Sequence, residues 1–147
     1  MASQTVEKPI GLIVASHCGV ATEMLKAAEL IVGTMPACRA ISMDPDQSVD
    51  DMTRRLADAI KDVDQGAGVL ILTDLYGGTP TNISLSFMSP KVEILCGINL
   101  PMLIKFVGCR KANGLKETAR ILQEYGKQHI SLASDVLSPP AQKNAGR

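Results

Sequence analysis

The sequence predicts an α/β fold: a doubly wound, mostly parallel sheet with helices on both faces. Short apolar runs, as at residues 10–15 and 68–73, alternate along the chain with longer segments whose apolar residues recur at helical spacing. The runs are continuously apolar, which is typical of strands buried on both faces of a parallel sheet.

The elements follow in a regular order. Strands are predicted at residues 10–15, 38–43, 68–73 and 92–96. Helices are predicted from Thr22 to a stop at Gly33, after a cap at Asp46 or Ser48, from an N-cap at Thr79 to about Met88, from about Leu100, and over residues 115–125. A short final strand is expected at residues 130–133.

The length suits one domain with a single core, since the chain has 147 residues. We expect residues 1–135 to form this domain and the polar residues 136–147 to form a disordered tail. The N-terminus is polar and no apolar run is long enough to cross a membrane. These features predict a cytoplasmic protein without a signal peptide.

Composition argues against several classes of function. Fifteen basic residues balance fifteen acidic ones, so there is no net positive charge for nucleic-acid binding. Four cysteines are scattered without a CxxC spacing, which favours reduced thiols over a metal site. Neither GxxxxGK[ST] nor GxGxxG is present, which argues against a bound nucleotide. We therefore expect no cofactor and no metal.

His17 is the candidate nucleophile or acid–base group, because it follows the first strand directly. A histidine side chain has an unperturbed pKa of about 6.5 and so offers a neutral nitrogen at physiological pH. Asp74 follows the third strand and faces His17 if those two strands are neighbours. Its carboxylate then fixes the tautomer of the imidazole. The alternative is a hydrogen-bonded loop histidine without chemical function.

The turn after Asp74 has the composition of an anion site. Gly77 and Gly78 allow backbone N–H groups to converge, Thr79 adds a hydroxyl, and a helix begins at the same place. This pattern favours an anion, and a phosphate without a nucleotide is compatible with it. The alternative is a tight turn that needs glycine only for its positive φ.

Two further residues compete with His17. Cys18 is a possible nucleophile beside a histidine and near a helix N-terminus. Cysteine enzymes that bind oxyanions usually end the binding loop in arginine, and none lies near Cys18. His129 lies between a helix and a polar stretch, and we expect it to be exposed and without a role in the chemistry.

Three ordered motifs resemble those of a known family. Residues 13–21 (IVASHCGVA) lead into residues 24–29 (MLKAAE), and residues 72–82 (LTDLYGGTPTN) and 97–103 (GINLPML) follow. They are similar to the signatures of the mannose-type enzyme IIA components of the bacterial phosphoenolpyruvate-dependent sugar phosphotransferase system. The resemblance covers roughly residues 9–125.

The resemblance implies a function and partners. The chain is expected to be a phosphotransferase that accepts a phosphoryl group from the carrier protein HPr on His17 and passes it to a IIB component for coupled sugar uptake. Asp74 matches the carboxylate that hydrogen-bonds the active histidine, and Thr79 matches a hydroxyl near the phosphoryl group. The family also implies a homodimer in which a C-terminal antiparallel strand, here residues 130–133, is exchanged with the partner.

The chain departs from the family pattern at Cys18, where glycine usually follows the histidine. It also resembles a stand-alone subunit. An alternative function is therefore a regulatory phospho-switch, in which phosphorylation of His17 controls binding to a non-transport protein. A dihydroxyacetone-kinase phosphoryl donor shares the fold but matches the third motif and the helix after His17 less well.

Overall fold

The structure, a computed structural model, describes residues 8–138. Strands and helices alternate over most of this part of the chain. In order they are β1 (Gly11–His17), α1 (Val20–Val32), β2 (Cys38–Met43), α2 (Val49–Val63), β3 (Val69–Thr73), α3 (Thr79–Leu85), β4 (Val92–Cys96), α4 (Leu100–Cys109), α5 (Leu115–Gln128) and α6 (Ala133–Val136).

The four strands form one parallel sheet in the order β2-β1-β3-β4. Helices α1, α4 and α5 pack on one face, and α2 and α3 pack on the other. The predicted parallel α/β sheet with helices on both faces is confirmed. The condition on which the meeting of His17 and Asp74 depends is met, because the first and third strands are neighbours and Ala15 pairs with Thr73.

The length predicted a single core, whereas each face of the sheet carries its own aliphatic core. Leu12 and Val14 of β1 point to the side of α1, α4 and α5, whereas Ile13 and Ala15 point to the side of α2 and α3. All four are completely buried. Full burial of a large aliphatic side chain is worth about 1.5–3 kcal/mol, so the central strands β1 and β3 anchor both layers.

Two helix starts differ in detail from the sequence prediction. Thr79 is the first residue of α3 and not its N-cap, because the carbonyl of Gly78 (φ 110°) already accepts the N–H of Asn82 at 2.9 Å. Helix α3 also ends at Leu85, earlier than predicted. For α2 the cap is Ser48, whose hydroxyl accepts the N–H of Asp51 at 3.0 Å.

The prediction of a final strand at residues 130–133 is wrong for the isolated chain. Ala133–Val136 forms the short helix α6, and residues 130–132 pair with no strand. A strand needs a backbone partner, and this segment stays away from the sheet with the side chains of Ile130 and Leu132 78% and 66% exposed. Of the expected tail at residues 136–147, residues 139–147 lie outside the described residues.

None of the helices between residues 8 and 138 combines the length and apolar character needed to span a bilayer.

Candidate functional site

The carboxyl ends of β1 and β3 bring His17 and Asp74 into direct contact. Asp74 Oδ2 accepts the backbone N–H of His17 at 3.0 Å and lies 2.9 Å from the ring atom Nδ1. The side chain of Asp74 is 15% exposed and that of His17 is 43% exposed. The carboxylate is thus largely shielded from water while the imidazole reaches the surface.

This contact selects one tautomer of the neutral His17 ring. An ionised carboxylate only accepts hydrogen bonds, so Nδ1 carries the proton that is shared with Asp74. Nε2 on the opposite side of the ring is then left with a free lone pair. A fixed imidazole with a bare, accessible nitrogen is suited to nucleophilic attack.

Gly78 lies against the same ring. A Cβ at Gly78 would be 3.0 Å from Cε1 and 3.2 Å from Nε2 of His17, closer than ordinary side-chain contacts. A Cβ at Gly77 would meet nothing within 4 Å. Glycine at position 78 therefore serves the close approach of the turn to His17 as well as the positive φ.

Two residues of the predicted anion site, Gly78 and Thr79, lie beside His17. Helix α1 begins three residues after His17, and α3 begins at Thr79, which is exposed. Both helix N-termini carry partial positive charge. Beside them His17 and Thr79 line a depression of about 190 Å³ that contains no lysine or arginine and one carboxylate, that of Asp44. The neutral side-chain donors on this depression are the hydroxyl of Thr79 and the amide of Gln47.

Ser16 organises the loop that presents His17. Its hydroxyl is completely buried, accepts the N–H of Ala21 at 2.7 Å and donates to the carbonyl of Cys18 at 3.3 Å. Cys18 lies between these contacts with φ 50°, in the left-handed region that glycine adopts most easily. The chain thus accommodates cysteine after the histidine in a backbone conformation that glycine favours.

The third sequence motif supports the site indirectly. The N–H groups of Gly97 and Ile98 donate to the carbonyl of Thr73 at 2.9 and 3.0 Å, and Thr73 precedes Asp74. Asn99 caps α4 through the N–H of Met102 and donates to a carbonyl of α5. Asn99 therefore joins α4 to α5. The motif contacts the site through the Thr73 carbonyl.

The remaining candidate residues have other surroundings. His129 stacks on Tyr125 at 3.7 Å and its Nδ1 lies 2.8 Å from the Tyr125 carbonyl oxygen, far along the chain from the strand ends. Burial raises the pKa of the Cys38 thiol against the opposing effect of Arg110. Burial likewise raises the pKa of Cys109. Within residues 8–138 no three histidine, cysteine or acidic side chains cluster as metal ligands do.

Two hydroxyl groups that shape the site, those of Ser16 and Thr81, were not predicted from the sequence. Ser16 interrupts an apolar strand at its carboxyl end, a signal that points to a local cap. Thr81 hydrogen-bonds residues on both sides of Asp74. Its partners depend on the path of the loop, so the sequence carries no comparable signal for it.

Comparison with known proteins gives a consistent result. A family model for EIIA-man, described as a PTS system fructose IIA component, matches residues 11–123. The fructose-specific EIIA component of the phosphotransferase system of Bacillus subtilis is 25% identical, with 87% of this chain and 89% of that protein covered. The mannose/sorbose-specific IIA subunit of Enterococcus faecalis has a solved structure with 27% identity and a TM-score of 0.76, covering 90% of this chain and 98% of that one.

A further solved structure, the phosphotransferase component EIIA of Streptococcus agalactiae, gives a TM-score of 0.77 at 27% identity and covers 86% of this chain and 98% of that one. The mannose-specific EIIAB component of Escherichia coli is 25% identical over 82% of this chain, which spans only 38% of that protein. The family model, which matches residues 11–123, includes both His17 and Asp74.

Proposed function

The chain belongs to the EIIA-man family of phosphotransferase-system IIA components, and we propose that His17 is its phosphoryl-accepting residue. Membership supports a phosphoryl-carrier role in a sugar phosphotransferase system. We further propose that HPr is the donor, that a IIB component is the acceptor and that the protein acts in the cytoplasm. The single observation that carries this proposal is the 2.9 Å contact between Nδ1 of His17 and Asp74 Oδ2.

The proposed transfer begins with attack by Nε2 of His17 on the phosphorus of phosphorylated HPr. The bond between nitrogen and phosphorus forms as the bond to the donor's leaving group breaks, and the electron pair of that bond returns to the donor. The imidazole gains positive charge and keeps its proton on Nδ1. The negative charge of Asp74 beside that proton stabilises the phosphorylated ring.

Most of the catalytic work in phosphoryl transfer is positioning and stabilisation of charge on the equatorial oxygens. We propose that the backbone N–H groups of Gly77 and Gly78 and the hydroxyl of Thr79 bind these oxygens. The position of Thr79 beside His17 on the shared depression supports this assignment. In the onward step a nucleophile of the IIB component attacks the same phosphorus while the bond to Nε2 of His17 breaks, and the electron pair of that bond returns to the imidazole.

We also propose that the protein forms a homodimer in which residues 130–133 add as an antiparallel strand to the partner's sheet. The segment is available for this role, because its apolar side chains are exposed, as are those of Val136 and Leu137. In addition, β4 is an edge strand of the described sheet. An unpaired strand edge and an exposed apolar segment are both surfaces that a second protein chain commonly covers when a dimer forms.

The relay can be tested with purified components. The protein is first phosphorylated with labelled phosphoenolpyruvate, enzyme I and HPr, then separated and mixed with a IIB component from the same bacterium. We expect the label to leave the protein and to appear on the IIB component. Label that enters the protein but passes to no IIB component would contradict transfer and support the regulatory phospho-switch, which the comparisons do not favour.

A further inference from the structure

The carboxylate of Asp74 is held in place mainly by its backbone. Among the described residues only His17 donates hydrogen bonds to it, and both bonds go to Oδ2. The other oxygen, Oδ1, is buried without a protein donor. The direction in which Asp74 points therefore depends on the backbone on either side of it, at Thr73 and Leu75.

One buried hydroxyl holds both of these neighbours. Thr81 Oγ1 lies 2.8 Å from Thr73 Oγ1 and donates to the carbonyl of Leu75 at 2.5 Å. Each hydroxyl has one proton, which allows two consecutive hydrogen bonds: the Thr73 hydroxyl donates to the Thr81 hydroxyl, and the Thr81 hydroxyl donates to the Leu75 carbonyl. Thr73 and Thr81 are completely buried, so water does not compete for these hydrogen bonds.

Thr81 also connects the loop that contains Asp74 to helix α3 and to the end of β4. It lies in the first turn of α3, directly after the anion-binding turn, and Cys96 Sγ at the end of β4 is 3.7 Å from its hydroxyl. The same side chain thus connects the end of β3, the loop and the start of α3. These are the parts that carry Asp74, Gly78 and Thr79.

We propose that Thr81 is a positioning residue for phosphoryl transfer, which sets the orientation of Asp74 and through it the tautomer and direction of His17. This inference rests on the proposed function of His17. Replacement of Thr81 by valine keeps the volume of the side chain but removes the hydrogen bond to the Leu75 carbonyl and the contact with the Thr73 hydroxyl. The Thr73 carbonyl stays bound to the N–H groups of Gly97 and Ile98, so the loop is freed on the Leu75 side of the carboxylate. Small displacements of such a group slow a reaction that depends on alignment.

The test compares three variants. Thr81→Val keeps the branched shape and removes the hydroxyl, Thr81→Ser restores the hydroxyl, and Ser84→Ala is the matched control. Ser84 is a completely buried residue of the same helix, and its hydroxyl donates to the carbonyl of Pro80 at 2.6 Å without reaching the Asp74 loop. Thermal unfolding of each variant measures the loss of stability, so that this loss can be separated from an effect on His17.

The first readout is nitrogen-15 NMR of the His17 imidazole as a function of pH, which needs no phosphoryl transfer. We expect Thr81→Val to weaken the Nδ1–H signal of the hydrogen-bonded tautomer and to change the titration of the ring. Thr81→Ser and Ser84→Ala should leave both unchanged. An unchanged His17 spectrum in Thr81→Val would overturn the positioning role, whatever its stability.

The second readout is the rate of phosphorylation by phosphorylated HPr. We expect roughly a 10-fold loss in Thr81→Val, recovery in Thr81→Ser and no loss in Ser84→Ala. A Thr81→Val rate equal to that of Ser84→Ala would also overturn the proposal. If the native protein accepts no phosphoryl group, the proposed function fails, and the His17 spectrum still decides whether Thr81 positions Asp74.

Discussion

Asp74 accepts both the backbone N–H and the ring Nδ1–H of His17 with a single oxygen, at 3.0 and 2.9 Å. One carboxylate oxygen therefore fixes the position of the histidine backbone and the tautomer of its ring together. The Nε2 side is left free because the other half of the imidazole is committed to Asp74.

Replacement of Asp74 by asparagine tests the value of this charge. The amide oxygen can still accept from His17, but it no longer stabilises the positive phosphorylated ring. Where a carboxylate orients a metal-bound histidine, its loss typically costs roughly 10- to 100-fold in activity. We expect a slowing of at least that order here, measured by rapid-quench kinetics with phosphorylated HPr. Asp62→Asn, which removes an exposed carboxylate paired with Arg39, should transfer at the native rate. Equal rates for both variants would remove Asp74 from the mechanism.

The two glycines of the turn form a matched pair for a steric test. Both have positive φ, 81° at Gly77 and 110° at Gly78, so alanine at either position should destabilise the fold by about 1–3 kcal/mol. Only at Gly78 would the new Cβ press on His17. We expect Gly78→Ala to lose most phosphoryl transfer and Gly77→Ala to retain it, once unfolding curves show that both variants are folded. A reversed order of activities would refute the described approach of Gly78 to the ring.

Cys18 provides a test of the loop conformation. Its φ of 50° suits glycine and is poorly tolerated by a β-branched residue. Cys18→Gly should therefore stay within about 0.5 kcal/mol of the native stability, because relief of strain and the greater freedom of the unfolded chain offset each other. Cys18→Val should lose about 1–2 kcal/mol in chemical denaturation. Equal stability of the two variants would argue against a left-handed conformation at this position.

The cysteines should differ in their reactivity. Only the thiolate is nucleophilic, and burial raises the pKa of Cys38 and Cys109. A raised pKa lowers the thiolate fraction at every pH below it, so alkylation of these two residues should remain slow until the pH is well above their ordinary range. Cys18 is exposed and should be alkylated roughly 10-fold faster near pH 8. Peptide mapping by mass spectrometry identifies the sites, and Cys18→Ser should remove the fast phase. A fast phase at Cys38 would show that this thiol is not protected.

The sequence was sufficient for the features that depend on local patterns. Continuous apolar runs identified the strands, and β4 was predicted at residues 92–96, the bounds that it has in the structure. The positions of His17 and Asp74 at strand ends led to their expected meeting. That expectation still required β1 and β3 to be neighbours, which no local pattern states and which the sheet order supplies.

Features that depend on tertiary contacts could not be predicted in the same way. A Cβ added at Gly78 would lie 3.0 Å from His17, and this distance depends on where the two loops lie in space. The Thr81 hydroxyl is bound to residues six and eight positions earlier because the chain turns back at the glycines. Residues 130–133 have a strand-like sequence, but a strand forms only where another backbone can pair with it.

The most direct test of the central claim is intact-protein mass spectrometry at neutral to alkaline pH, after incubation with phosphoenolpyruvate, enzyme I and HPr. We predict a gain of one phosphoryl group that is lost on acid treatment and is absent in His17→Ala, while that variant keeps its native unfolding temperature. A phosphoryl group retained on folded His17→Ala, or no gain on the native protein, would contradict the assignment of His17 as the acceptor.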